Sequence, residues 1–542
     1  MKKLSLLISL FFVCVMLVAQ EVQPTRNVIV MIPDGASISV FSAARWFNLF
    51  NGHGHQLNVD PFITGTVNVH ETNAVVAESA AAGSVFSTGV ISAAGNIAMH
   101  PAPSATDMFP VDASRANQPA ATLLEAARIL QNKATGIVVT CEFTHATPAS
   151  FAAHHYSRNN RTAIAPQFAF NNLHVLMGGG NSLVSESMKQ HLQNNGTTLI
   201  QNDRAAMLNY SGNRVWALFE EMALPYDIDR NPDLVPSLAE MTAKAIEVLS
   251  KHENGFFLMV EGSMVDWAAH ANDPVGIITE FLAFDKAVGV VMDFAKRDGN
   301  TAVIIMSDHG NSGFSIGTDR CPGFVDFTLA EFFAPVAQIR RTANGMVSIL
   351  RNTEPENFRS VFYYYTGINL TNDELNSLLA SRDFRGGTHL EEHNNRSMSQ
   401  NVVNIYNTHT CFGFTTGGHT GEEVLLASFH PQDHILRGNI CGTKVNAYLQ
   451  QVMGLEISLQ ELSDKIFVKH TNVFDGMVVN VDYSNPDFPV LNIQNGRNTM
   501  QLTAFSSVGL LNGTSFDVGS VVVYQGRNNL FYLPGSLREK LQ

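Results

Sequence analysis

Short, strongly apolar segments recur along the chain and alternate with segments of helical periodicity. The first, NVIVMI at 27–32, is rich in β-branched residues and ends in a Pro-Asp-Gly turn, as in a strand that is buried on both faces. Similar runs follow at 136–140, 175–177, 256–260 and 302–306, and helical patterns lie between them at 120–130, 238–249 and 277–294. This alternation predicts an α/β fold with a central, mainly parallel β-sheet sandwiched by helices.

Polar residues follow several of these runs at the point where each predicted strand ends. Asp34 follows the first run, Glu261 follows the run at 256–260, and Asp308-His309 follows the run at 302–306. The carboxyl ends of parallel strands meet at one edge of a sheet, where α/β proteins place their chemistry. The sequence therefore predicts a functional site at this edge.

Three further segments carry residues that suit a metal site or an anion site. Asp266 and His270 are four residues apart, so on a helix both project from one face and can bind one divalent ion. His419 lies among glycines in GGHTG, and Ser79 stands where a helical stretch of small residues begins. A helix N-terminus favours anions, although taken singly such a serine is also an ordinary cap and such a histidine is often structural.

Together these segments resemble the alkaline phosphatase family. The nucleophile segment of the family, Asp-Ser-Ala-x-x-x-x-x-x-Ser-Thr-Gly, corresponds to Glu78-Ser79-Ala80 and continues to 87–89. The THATPA sequence at 144–149, followed by Arg158, resembles the stretch that supplies a third-metal ligand and a phosphate-binding arginine. The similarity covers approximately residues 26–312 and 405–440.

The resemblance implies an enzyme that hydrolyses phosphate monoesters to inorganic phosphate and an alcohol through a phosphoserine at Ser79. Arg158 would hold two oxygens of the phosphate through its planar guanidinium. The cofactors would be two Zn²⁺ and one Mg²⁺ per subunit. The first zinc site would use Asp266, His270 and His419, the second Asp34, Asp308 and His309, and the magnesium site Asp34, Thr147 and Glu261.

The sequence departs from the family pattern at four positions near these residues. Glu78 replaces the usual Asp beside the nucleophile, and its additional methylene changes the reach toward Arg158. Pro33 replaces a common Gly before Asp34. His145 stands where some members carry Asp and others His, and Trp267 stands where some carry Lys. A neutral imidazole at 145 weakens a preference for magnesium or acts only through water.

Two other functions remain open for a chain with this pattern. A phosphodiesterase or sulfatase would keep the fold, but Thr147 and Glu261 match a third metal site, and Ser79 lacks the Cys/Ser-x-Pro-x-Arg context of sulfatases. A catalytically silent metal-binding or phosphate-binding protein would need neither Ser79 nor Arg158. Nucleic-acid binding is disfavoured because the net charge is −14 and no basic run occurs.

The N-terminus predicts export of the protein. Lys2 and Lys3 precede an apolar run at 4–18 that ends near Ala19, which is typical of a signal peptide at 1–20. We expect a periplasmic or secreted protein with no membrane association after cleavage. The remaining cysteines at 141, 321, 411 and 441 allow three disulfide pairings, and the sequence does not choose among them.

Changes in local amino-acid composition indicate how the rest of the chain is organised. The catalytic core is predicted at 21–312 plus 405–468. An insertion rich in Asn, Arg and aromatic residues, at 313–404, is predicted to form a lid or part of a homodimer interface. A β-rich C-terminal segment is predicted at 469–542, with strands at 477–481 and 518–524 and Asn-Gly turns at 495–496 and 512–513.

Overall fold

The computed structural model describes residues 22–382 and 397–542. The predicted signal peptide at 1–20 lies outside the described residues, as does part of the predicted insertion. Within the described parts of the chain, no helix is both long and apolar enough to cross a bilayer.

A ten-stranded sheet forms the centre of the molecule. Nine strands run in the same direction, and the strand Val424–Phe429 runs antiparallel to both of its neighbours. The predicted fold class is confirmed, because the sheet is mainly parallel and helices cover both of its faces. The strand order is Gly438–Cys441, Ile63–Asn68, Val424–Phe429, Thr301–Met306, Asn27–Pro33, Phe256–Gly262, Ala134–Glu142, Val175–Gly179, Val215–Phe219 and Thr198–Gln201.

The central strands contribute to two cores, one on each face of the sheet. In the strand Asn27–Pro33, Ile29 and Met31 belong to one core, and Val28 and Val30 belong to the other. This alternation explains why the run is apolar throughout. The first core is covered by Ile38–Phe50, Arg204–Asn209, Leu238–Leu249, Met264–His270 and Pro274–Asp298, and the second by Ser79–Thr88, Leu123–Gln131, Ala146–Ala152, Arg161–Phe170, Glu186–Asn194, Gly442–Met453 and Leu459–Ile466.

Capping residues determine where the helices begin and end, which the hydrophobic periodicity predicted only approximately. The helix predicted at 120–130 begins at Leu123, because Thr122 and Glu125 form a capping box. The helix predicted at 277–294 spans Pro274–Asp298, with Pro274 in its first turn and Gly299 at its C-cap. Short 3₁₀ turns occur at Asp60–Phe62, Ala113–Arg115, Asn181–Leu183, Phe324–Asp326, Pro355–Asn357 and Gly535–Leu541.

The segment after residue 313 is mainly helical and packs on the first core. Phe333, Met346 and Phe362 from this segment share that core with Phe281 of the long helix. Two short antiparallel strand pairs join the two ends of the segment to each other, and one of them pairs His419 with Asn311. The helices are Leu329–Ala337, Ala343–Arg351, Phe358–Thr366, Asn372–Ala380 and Met398–His409, and the paired strands are Gly310–Asn311, His419–Thr420, Ser315–Ile316 and Phe412–Gly413.

The C-terminal region is rich in β-structure, as predicted, and has a core of its own. The turn at Asn512-Gly513 is confirmed, since both residues have positive φ. The strand predicted at 518–524 is wrong for most of its length, because Gly519 has a φ of 95° and pairing begins only at Val523. The strands are Val468–Lys469, Val478–Asp482, Val490–Asn495, Asn498–Thr503, Val508–Leu511, Thr514–Asp517, Val523–Gln525 and Leu530–Leu533, with a short helix at His470–Val473.

One disulfide, Cys321–Cys411, resolves the pairing that the sequence left open. The two cysteines are 90 residues apart along the chain and flank the helical segment. The disulfide therefore joins the two ends of that segment covalently. Cys141 and Cys441 are free thiols.

We expect that replacing both Cys321 and Cys411 with Ser lowers the free energy of unfolding by about 4–5 kcal/mol, because a loop of this length is no longer closed in the unfolded chain. Urea denaturation of the oxidised protein measures the change, with Cys441→Ser as the control. Equal stability of the double variant and the parent protein would contradict this account.

Candidate active site

The predicted residues at the strand ends meet because their strands are neighbours. Asn27–Pro33 lies between Thr301–Met306 and Phe256–Gly262, and it is parallel to both. Asp34, Glu261 and Asp308 therefore lie at one edge of the sheet, and all three are fully buried. Such burial is costly for carboxylates unless a cation or hydrogen-bond donors compensate it.

Asp34, Asp308 and His309 form the first cluster. His309 Nε2 lies 3.6 Å from Asp34 Oδ1 and 3.3 Å from Asp308 Oδ2. The Gly35 amide donates to Asp308 Oδ1. Among the described residues, neither Asp34 oxygen nor Asp308 Oδ2 has a hydrogen-bond partner. Burial, with the neighbouring charge of Asp308, raises the pKa of Asp34 well above its usual range. This donor set fits a divalent cation.

Asp266, His270 and His419 form the second cluster. Asp266 lies 3.4 Å from His270 Nε2 and 3.7 Å from His419 Nε2. The Nδ1 atoms of the two histidines contact backbone oxygens, of Gly417 at 2.8 Å and Ala77 at 2.9 Å. These contacts assign the proton to Nδ1 and leave the Nε2 lone pairs to face each other at 3.1 Å. Two lone pairs at this distance repel each other without a cation between them, so the cluster fits zinc.

Burial keeps the imidazoles of His309 and His419 in the neutral form that binds metals. It is the main cause that lowers the pKa of His309 to about 4 and the pKa of His419 to about 4. The two rings stack with centroids 3.6 Å apart, which brings the two clusters into contact. Both clusters therefore belong to one site.

A third group of ligand atoms lies around Glu261, where one atom each of Cys141, His145 and Glu261 lies within 4.8 Å of the others. Glu261 Oε1 and Thr147 Oγ1 are buried and have no hydrogen-bond partner in the described parts of the chain. Burial raises the pKa of Glu261 to about 8. The thiol of Cys141 donates to Glu261 Oε2 at 3.9 Å. Sequence reasoning missed Cys141, although its position near the end of the neighbouring strand Ala134–Glu142 could have indicated it.

Ser79 is the first residue of the helix Ser79–Thr88, and it is buried. Its Oγ lies 3.2 Å from His309 Nε2, within the metal-ligand cluster. Small residues in this helix allow close packing against Ala146–Ala152, since a Cβ at Gly83 would lie 2.4 Å from Ser150 Oγ. The N-terminus of the helix, with its positive dipole end, therefore lies at the site.

Glu78 reaches Arg158 despite its additional methylene. Arg158 Nη1 donates to Glu78 Oε2, and Arg158 Nη2 lies 3.2 Å from His145 Nε2. The amides of Gly95 and Ala81 donate to Glu78 Oε1. Burial alone would raise the pKa of Glu78, but the charge of Arg158 and these amides outweigh burial, so the pKa is lowered. The carboxylate thus stays charged and holds the guanidinium in place.

A cavity of about 720 Å³ opens above these groups. Ser79, Arg158 and Trp267 line it together with His270 and His419, whereas Asp34 and His309 lie fully buried beneath it. Sequence reasoning missed three of the lining residues, Glu142, Asn159 and Arg161. The short spacing of Asn159 and Arg161 from Arg158 is the signal that could have found them.

The mainly parallel sheet brings a buried serine, clustered carboxylates and imidazoles, and an arginine to one cavity. This combination defines a metal-dependent ester hydrolase. Comparison with known proteins specifies the family. The sequence model described as "Alkaline phosphatase" matches residues 25–455. The chain belongs to the alkaline phosphatase family, as the sequence resemblance predicted, and is a phosphomonoesterase.

Individual relatives agree with this assignment. Alkaline phosphatase 3 of Bacillus subtilis (strain 168) is 33% identical over 450 residues, which cover 80% of this chain and 90% of the relative. The crystal structure of the cold-active alkaline phosphatase from the psychrophile Shewanella sp. has a TM-score of 0.67 at 26% identity and covers 79% of this chain and 99% of its own. A third match is the structure of a histidine-to-aspartate variant of TAB5 alkaline phosphatase with Mg bound in its M3 site. It has a TM-score of 0.54 at 22% identity and covers 81% of this chain and 100% of its own.

The buried carboxyls predict how the stability of the metal-free protein depends on pH. Burial raises the pKa of Asp308 to about 6 from 3.8, and that of Glu261 to about 8 from 4.5. An acid whose pKa is raised in the folded state stabilises the fold below its unfolded pKa, and the contribution is lost as pH rises. Burial also lowers the pKa of His309 and His419 to about 4, which makes the fold more stable as pH rises toward about 6.5 and opposes the acids in that range. We therefore expect the free energy of unfolding of chelator-treated protein to fall by a few kcal/mol between about pH 6.5 and about pH 8.

Chemical denaturation across this pH range measures the effect. Addition of zinc and magnesium should remove most of the decline, because cations compensate the buried charges. Asp34→Asn should make the metal-free profile flatter, since one charge of the cluster is gone. Stability that rises between about pH 6.5 and about pH 8 in the chelated protein would contradict the account.

Proposed function

We propose that the chain hydrolyses phosphate monoesters with Ser79 as the nucleophile. The observation that carries this proposal is the position of Ser79 Oγ, 3.2 Å from His309 Nε2 at the wall of the cavity that Arg158 also lines. In the first step Ser79 Oγ loses its proton and bonds to phosphorus, while the bond to the leaving oxygen breaks and that oxygen takes up a proton to leave as the alcohol. In the second step water bonds to phosphorus as the bond to Oγ breaks, and one proton of the water restores the Ser79 hydroxyl as inorganic phosphate is released.

The residues present fit the three metal ions that the family resemblance implies. Thr147 and Glu261 offer hard oxygen ligands, which suit magnesium. When bound, the ions supply Lewis-acid stabilisation of the attacking and leaving oxygens. Asp266, His270 and His419 would hold one zinc. Asp34, Asp308 and His309 would hold the second zinc, and Asp34, Thr147 and Glu261 the magnesium.

Arg158 would orient the phosphate. Glu78 and His145 accept from its two terminal nitrogens and fix the plane of the guanidinium. The guanidinium has five N–H groups, so these two contacts leave further donors for two phosphate oxygens. Trp267, on the cavity wall, offers an apolar surface in place of a second cation.

His145 would act on the third metal site through water. Its Nε2 accepts from Arg158, so the proton of the neutral ring resides on Nδ1. Burial, followed by the charge of Arg158, lowers the pKa of His145 to about 3, so the ring stays neutral. Nδ1 is buried without a partner among the described residues, which suits donation to a bound water better than direct ligation.

We further propose that the protein is exported, as the pattern at 1–20 predicts, and that it is a homodimer. The segment 313–404 would take part in the dimer interface or limit substrate access, the segments 21–312 and 405–468 would form the catalytic core, and 469–542 a separate β-rich unit. The disulfide at the base of the helical segment supports an oxidising compartment.

Replacing Ser79 with Ala tests the proposal. We expect kcat for 4-nitrophenyl phosphate, near pH 9 with zinc and magnesium present, to fall by about 10³-fold or more, because the nucleophile is lost. Ser187→Ala, on an exposed position of the helix Glu186–Asn194 outside the cavity, is the matched control and should retain full activity.

Hydrolysis of the matching diester, bis(4-nitrophenyl) phosphate, distinguishes a phosphomonoesterase from a phosphodiesterase. Monoester turnover should exceed diester turnover by orders of magnitude in the parent protein. Faster diester hydrolysis would contradict the substrate class, and undiminished activity of Ser79→Ala would contradict the nucleophile.

A further inference from the structure

We propose that Arg161 forms a second anion subsite at the mouth of the catalytic cavity. The favoured substrates would then be phosphate monoesters whose alcohol part carries an additional phosphate or carboxylate group. This inference rests on the proposed function, because it concerns the leaving-group side of the same cavity. It assigns a substrate class that the metal and phosphate sites alone do not specify.

Arg161 lies in the cavity on the side that faces solvent. Ser79 is 1% exposed, whereas the side chain of Arg158 is 25% exposed and that of Arg161 is 53% exposed. All three residues line the same cavity. Because the buried metal-ligand cluster closes the floor, the alcohol part of a bound ester must extend outward, toward Arg161.

Arg161 is anchored in the same manner as Arg158. Its Nη2 donates to Glu142 Oε1 at 2.9 Å, and the Glu142 side chain is only 3% exposed. In the described parts of the chain, Glu142 is the only acceptor of a hydrogen bond from the Arg161 side chain. Since a guanidinium has five N–H groups, a single fixed contact holds its position and leaves most of its donors for a ligand.

The surroundings of Arg161 favour a further negative charge. Arg161 begins the helix Arg161–Phe170, so the positive end of the helix dipole lies at the mouth of the cavity. Asn159 adds a neutral amide to the wall. The two carboxylates that line the cavity are already engaged, Glu142 by Arg161 and Asp266 by the Asn311 amide.

The two arginines are held by neighbouring residues of one turn. Arg158 contacts His145 and Arg161 contacts Glu142, and the His145 amide donates to the Glu142 carbonyl at 2.9 Å. A substrate must therefore carry a second phosphate or carboxylate on its alcohol part, close to the reacting phosphate, to meet both arginines. Compact phosphorylated hydroxy acids and bisphosphates satisfy this requirement.

The test uses two substrates of nearly equal size that differ in one anionic group, glycerol 3-phosphate and 3-phosphoglycerate. We expect Arg161→Gln to lower kcat/KM for 3-phosphoglycerate about tenfold and for glycerol 3-phosphate less than about twofold, as for the loss of one charge-assisted hydrogen bond. Arg161→Lys should retain most of the selectivity. About 0.5 M salt should reduce the selectivity of the parent enzyme.

Arg437→Gln is the matched control, because Arg437 is exposed and lies outside the cavity. An unchanged ratio of the two kcat/KM values in Arg161→Gln would overturn the subsite. Equal losses on both substrates would also overturn it, since Arg161 would then act only by supporting Glu142. If the parent enzyme hydrolyses neither substrate, nor 4-nitrophenyl phosphate, the proposed function itself fails.

Discussion

The buried carboxylates at the ends of three adjacent strands are the constraint on which the rest of the structure depends. Asp34, Glu261 and Asp308 lie together without exposure to solvent, and each raises the energy of the others when it is charged. Such a cluster persists in a folded protein when cations compensate it. The adjacency of the three strands is therefore both a feature of the fold and the reason for a metal centre.

Other segments are arranged around this centre. The short pairing of His419 with Asn311 returns the chain to the sheet edge after about a hundred residues, so that a distant histidine joins Asp266. Packing of small residues brings the N-terminus of the Ser79 helix to the same place. The helical segment between Asn311 and His419 packs on the core of the sheet, and this contact and the disulfide fix the return path.

The C-terminal region also contacts the catalytic part of the chain. Ala163 belongs to the C-terminal core, and the guanidinium of Arg527 lies 4.3 Å from the ring centroid of Tyr156. Both contacts flank the segment that carries Arg158. The β-rich region thus supports the loop from which the cavity arginines project, although the family match ends at residue 455.

Much of the fold and of the candidate site could be predicted from the sequence, because strand periodicity and residues at strand ends are local signals. Asp34 and Asp308 could be found in this way. The disulfide partner of Cys321 and the contact of Glu142 with Arg161 depend on tertiary packing, which no local pattern encodes. The prediction of a strand at 518–524 is wrong because most of this apolar run is buried as irregular chain and does not pair with another strand.

The most direct test of the account is a crystal structure of the metal-loaded protein with anomalous scattering measured on both sides of the zinc absorption edge. Two zinc peaks are expected, one among Asp266, His270 and His419 and one among Asp34, Asp308 and His309. A third, lighter ion is expected beside Thr147 and Glu261. If the protein retained these carboxylates buried and bound no metal at either histidine cluster, the central claim would be wrong.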